Sequence, residues 1–168
     1  MPGQTWAQLH AFFNDLPIAL LLASLVFEAL GALLKRDALR AAAFWALVAG
    51  VLGALFAAAA GLLAEGRIDQ SPRAHDLIER HETLAFVVMG IFAALLLWRI
   101  FRRVLNKTEQ TVYLTVHVLG VILLLVAGSL GGKLVFEHGL GIPTQRLDSI
   151  QVERPAAPPP VSPDTARI

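Results

Sequence analysis

Four stretches of the chain are almost continuously apolar: Leu16 to Leu34, Ala38 to Ala64, Leu84 to Phe101 and Val112 to Phe136. A transmembrane helix needs about 20 mostly apolar residues to cross a hydrocarbon core of roughly 30 Å. The pattern therefore predicts four membrane spans. Short connections between successive spans bring them together as an antiparallel four-helix bundle, an all-α integral membrane fold. Within the first stretch lies one acid, Glu28, and within the fourth one imidazole, His117. Ionisable groups are costly inside a bilayer and usually mark function there.

Basic residues orient the spans. Lys35, Arg36 and Arg40 lie at the first connection and Arg99, Arg102, Arg103 and Lys107 at the third, whereas the segment before Pro17 has no Lys or Arg. Positive charge is retained on the cytoplasmic side, so both termini are expected on the periplasmic side of a bacterial inner membrane. The second connection, Glu65 to Arg80, balances Arg67, Arg73 and Arg80 with Glu65, Asp69, Asp76 and Glu79 and fits the outer face. The first apolar run has no basic n-region and no small-residue cleavage site, so it is expected to remain as a span rather than be removed as a signal peptide. Residues 1–142 form the membrane domain on this reading. Residues 143–168, rich in proline from Pro155 to Pro163, form a disordered tail.

Composition agrees with a membrane chain: 56% of residues are hydrophobic and 16% charged, with a mean hydropathy of +0.63. The absence of cysteine excludes disulfides, thiolate metal sites, iron–sulfur clusters and thioether-linked haem. A net charge of +1 without a basic block argues against nucleic-acid binding. There is no nucleotide loop, nucleophile elbow or zinc-protease motif, so nothing supports enzymatic turnover.

Small residues recur every fourth position on the second span, at Gly53, Ala57 and Gly61, with Gly50, Ala54 and Ala58 beside them; Gly128 and Gly132, flanked by Ala127 and Gly131, repeat the theme on the fourth. Such stripes let helix backbones approach closely in lipid. Ser71-Pro72 is a helix start, with a capping hydroxyl and a proline at the first helical position. The third helix is thus expected to begin outside the membrane, with His75, Glu79 and Glu82 on one face and His81 turned into the bundle.

Topology sorts the five histidines. His10, His75, His81 and His138 belong to the outer face, and His117 to the inner half at a depth similar to Glu28. Glu28 and His117 are expected to pair across the bundle, either as a register-fixing hydrogen bond or as part of a proton relay or cofactor site. At the outer face, His10, His81 and His138 are expected to converge, with Asp15 or Glu82 completing or tuning a site for haem b or a transition metal such as copper. His117 is a further candidate cofactor ligand.

The segment Gly131-Gly132-Lys133-Leu134-Val135-Phe136-Glu137-His138-Gly139-Leu140-Gly141 resembles the closing signature of a bacterial four-helix membrane family catalogued as domain of unknown function 2231. Leu9-His10, Pro17-Ile18-Ala19-Leu20, Glu28 and His81-Glu82 resemble its other motifs, so the likeness covers Leu9 to Ile142. Where that family carries a second histidine and a proline on the first helix, this chain has Asp15 and Ala11. The resemblance implies a link to di-haem cytochrome-like membrane bundles and to relatives joined to Rieske-type domains, and hence electron transfer. Together these readings describe a small membrane redox or metal/haem-binding subunit in contact with lipid and with a redox protein or membrane-complex partner. The competing reading is a non-catalytic scaffold whose polar residues serve packing or partner contact.

Overall fold

The computed structural model describes residues 2–65, 72–102 and 104–140. The tail from residue 143, the Ser71 cap and Arg103 lie outside the described residues. Four helices fill the rest: α1 (Pro2–Leu34), α2 (Asp37–Glu65), α3 (Pro72–Phe101) and α4 (Lys107–Phe136). All four are long and apolar enough to cross a membrane, and each expected span falls inside one helix. The helices outrun the apolar stretches at their polar ends, because a helix satisfies its backbone hydrogen bonds in headgroups and water as well as in hydrocarbon.

Tight chemistry at the connections enforces the up-and-down course. After α1, Lys35 adopts a left-handed conformation (φ 53°) while the Arg36 N–H reaches back to the Gly31 carbonyl at 3.1 Å. This is the closure that lets a helix stop and reverse. At the start of α4, Asn106 and Glu109 form a reciprocal capping box, each side chain accepting the other's backbone N–H at 2.9 Å. Glu109 also holds Arg102 from the end of α3. Gly139, at φ 65°, ends α4, and the Leu140 N–H bonds to the Leu134 carbonyl at 3.1 Å. Thus the glycine of the closing signature stands where an ordinary side chain is disfavoured.

The helices pack as a ring in which α1 and α3 each lie between α2 and α4. Consequently α1 and α3 face one another across the centre. The α1/α2 seam is the closest, since a Cβ on Gly50 would stand 2.7 Å from Leu21 Cδ2 and one on Gly53 would stand 3.5 Å from the Pro17 ring. Pro17 sits inside α1 with its side toward this seam. Leu21, Leu47, Val51, Val88, Phe92, Leu95, Val121 and Leu124 make the central core. Large apolar side chains such as Leu52, Phe56, Leu119 and Ile122 remain exposed on the outside, where lipid is their solvent.

Candidate functional site

His10 on α1 and His81 on α3 meet across the bundle with ring centres 6.3 Å apart and ring planes at 83°. Each is anchored on a different neighbour. His10 Nδ1 lies 2.7 Å from the Ala57 carbonyl of α2, and His81 Nδ1 lies 2.9 Å from the Ala127 carbonyl of α4. A carbonyl can only accept, so both rings donate through Nδ1. That fixes the tautomer and leaves the Nε2 lone pair of each ring available to a ligand.

The seats for these rings explain part of the small-residue stripes. A helical side chain covers the turn on its N-terminal side, so a bulky residue at 61 would cover the carbonyl of residue 57, and one at 131 that of residue 127. Both positions are glycine. A Cβ on Gly61 would stand 3.1 Å from His10 Nδ1, and a Cβ on Gly131 would stand 3.1 Å from His81 Cε1. Gly61→Ala or Gly131→Ala is therefore expected to push its imidazole off the carbonyl, with a loss of about 1 kcal/mol for the hydrogen bond. A changed ring 15N shift of the affected histidine, with the other unchanged, is the readout; an unmoved ring would show that the glycine serves backbone packing alone.

The pairing is one part of an internal repeat. His10 to Glu28 on α1 and His81 to Arg99 on α3 span equal intervals, about five helical turns that return to the same face. Glu28 and Arg99 also meet across the ring, at 3.5 Å with side-chain exposures of 2% and 10%. On the other two helices Ala57 and Gly61 correspond to Ala127 and Gly131, and Gly50 to Gly120. Leu21 fills the space at Gly50, while Ile91 and Phe92 fill it at Gly120. The two hairpins thus match at the histidine end and differ at the other, where Ala43 and Leu47 on α2 correspond to Tyr113 and His117 on α4.

A cleft of about 610 Å³ opens beside the two imidazoles. Asp15 and Glu82 line it together with His10 and His81, and Gly61, Gly128, Gly131 and Gly132 give it width. Of the expected convergence of His10, His81 and His138 with Asp15 or Glu82, the cleft brings together His10, His81, Asp15 and Glu82 but not His138. His138 is exposed and is not part of the cleft lining. Among the described residues no three His, Asp or Glu side chains converge as a metal-binding group. His75 is exposed and pairs with Glu79 at 3.4 Å on the polar face of α3.

The expected Glu28–His117 pair does not form. Glu28 is matched by Arg99, a residue that loop-based charge reasoning assigned to the cytoplasmic anchor. His117 is fully buried, edge-on to Phe92 at 5.5 Å and to Tyr113 at 5.7 Å. Its ring approaches the Leu21 backbone without strict hydrogen-bond geometry at either nitrogen. The equal intervals from His10 to Glu28 and from His81 to Arg99 were the sequence signal for the true pair.

The profile of a family described as predicted membrane protein (DUF2231) matches residues 7–144. No curated protein and no solved structure matches the chain.

Proposed function

The chain belongs to the DUF2231 family of predicted membrane proteins, and from that footing we propose that it is a small membrane redox subunit holding one metal centre between His10 and His81. The observation that carries this reading is the pair of imidazoles on facing helices, each with Nδ1 tied to a backbone carbonyl. Such a tie is the usual means of orienting a metal-ligating histidine and raising its basicity. With their ring centres 6.3 Å apart and Nδ1 of each engaged, His10 and His81 are the residues that would hold such a centre.

The donor set favours haem b over a bare ion such as copper. With two imidazoles and no third converging ligand among the described residues, a group that would bring further donors of its own is better satisfied than a bare ion. A cleft of about 610 Å³ falls within the range of small-molecule and cofactor sites. When bound, such a group supplies one-electron chemistry. The protein's part is to hold the two rings, exclude water with apolar walls, and place Asp15 and Glu82 where their charge tunes the site. His138, at the exposed end of α4, and His117, at the opposite end of the bundle, have no ligating role in this proposal.

Iron and copper quantification with an absorption spectrum of gently purified protein tests it. Close to one metal per chain is expected, with a spectrum that changes on reduction. Protein that folds and carries neither metal would leave the scaffold reading standing.

The proposed orientation puts the histidine end in the periplasm of a bacterial inner membrane, within reach of a soluble redox protein, and the Lys35–Arg36 and Arg102–Lys107 ends in the cytoplasm. In this cysteine-free chain, Gln8→Cys should label from the periplasmic side and Arg36→Cys from the cytoplasmic side. The reverse labelling would overturn the orientation without touching the metal assignment.

A further inference from the structure

Between the histidine pair and the middle of the bundle lies a second, smaller cavity of about 70 Å³. It adjoins the cleft, since His10, Ile18, His81, Ala85 and Gly128 line both. Its walls run from His10 to Leu21 on α1 and from His81 to Phe92 on α3, equal intervals of about 16 Å at the helical rise. The space is therefore narrow. Its floor takes one residue from each helix: Leu21, Val51, Phe92 and Leu124.

The internal repeat shows how the void arises. Protein interiors are close-packed, and voids wider than a water molecule are few in a domain. Here α2 presents Ala54 and Ala58 to the space where α4 presents Leu124 and Gly128. Leu124 belongs to the central core, so one hairpin fills with leucine the place that the other leaves open at Ala54. An unfilled space forfeits the dispersion contacts of the atoms that line it. Packing alone thus favours a larger residue at 54.

From this geometry we infer that the cavity is a binding site for a small neutral apolar molecule of the size of dioxygen. Its polar side chains stand at one end. They are His10, Asn14 and His81, and both imidazoles already engage Nδ1 with the carbonyls of Ala57 and Ala127. Farther in, the walls are Pro17, Leu21, Val51, Met89, Phe92 and Leu124, none of which has a side-chain N–H or O–H to give. A buried water needs roughly two to four polar partners, whereas an apolar cavity stays dry and takes up xenon or benzene. Volume sets the upper size. A cavity of roughly 150 Å³ holds one benzene, and less than half of that, drawn out along the bundle axis, admits a diatomic molecule or a single xenon atom. The same two rings form the cavity's upper wall and the metal site of the proposed function, but the binding itself does not depend on a metal there.

Methyl NMR of full-length protein in nanodiscs, labelled at leucine and valine, tests this under dioxygen pressure against a nitrogen reference. Dioxygen is paramagnetic and speeds the relaxation of the methyls it dwells beside. The methyls of Leu21, Val51 and Leu124 should gain at least threefold more relaxation than those of Leu47 and Leu95, which are fully buried but outside the cavity lining. Ala54→Leu should abolish that excess, and Met89→Phe, which fills the space from α3, provides a second variant. Neither residue lines the cleft beside the histidines, so bound metal should stay at the parental level in both. Equal gains at all five residues would overturn the inference. So would an excess that survives both filling variants, or water cross-peaks to the Leu21 and Leu124 methyls. Protein without metal would remove the metal centre and leave the dioxygen result as it stands.

Discussion

Glu28→Gln destabilises the folded bundle by about 3–5 kcal/mol, the range for removing one partner of a buried ion pair. The mutation leaves the shape of the side chain almost intact but strands Arg99, whose side chain is only 10% exposed and whose charge loses the carboxylate that faces it. Glu28 is the only acid on the interior of α1 below the histidine, so the helix offers no replacement. The double substitution Glu28→Gln with Arg99→Gln should recover most of the loss, since two neutral amides can hydrogen-bond across the same gap. Unfolding in mixed micelles gives the four corners of the cycle. A single mutant within about 0.5 kcal/mol of the parent, the ordinary scatter of surface changes, would show that the pair does not hold α1 against α3.

The second large effect concerns occupancy. His10→Ala and His81→Ala should each cut bound metal at least tenfold, whereas His75→Ala and His138→Ala should leave it near the parental level. The reason is positional. Each of the first two removes one of the facing imidazoles; His75 is engaged with Glu79 on the polar face of α3, and His138 lies exposed beyond the end of α4. Equal losses from His138→Ala and His81→Ala would restore a three-histidine cluster as the better account. Loss from His10→Ala alone would show that the facing arrangement is not the binding arrangement.

The fold was legible because lipid imposes so narrow a choice: long apolar runs can only be helices, and their number and short connections leave little besides an antiparallel bundle. The turn of His81 into the interior was legible too, since Leu77, Ile78, Leu84 and Ala85 mark its face. Pairing across the bundle was harder. Depth along a helix can be counted from sequence, but rotation about its axis cannot when almost every face is apolar. Glu28 and His117 have matching depths, yet the ring order sets Glu28 against α3, where Arg99 waits at the same level. Arg99 was hidden by its position among the basic residues of a connection, where a long side chain is usually read as anchoring to headgroups. The stripes on α2 and α4 were likewise read only as packing surfaces; that Gly61 and Gly131 also uncover the carbonyls of Ala57 and Ala127 follows from knowing which side chain arrives there.

The most direct measurement of the central claim is pulsed EPR on oxidised protein carrying 15N-labelled histidine, which counts the imidazole nitrogens bonded to the paramagnetic centre. Two directly bound nitrogens are expected in the parent, with that signature lost in both His10→Ala and His81→Ala and retained in His138→Ala. A metal centre with no histidine coupling, or one whose couplings survive both substitutions, would contradict the account.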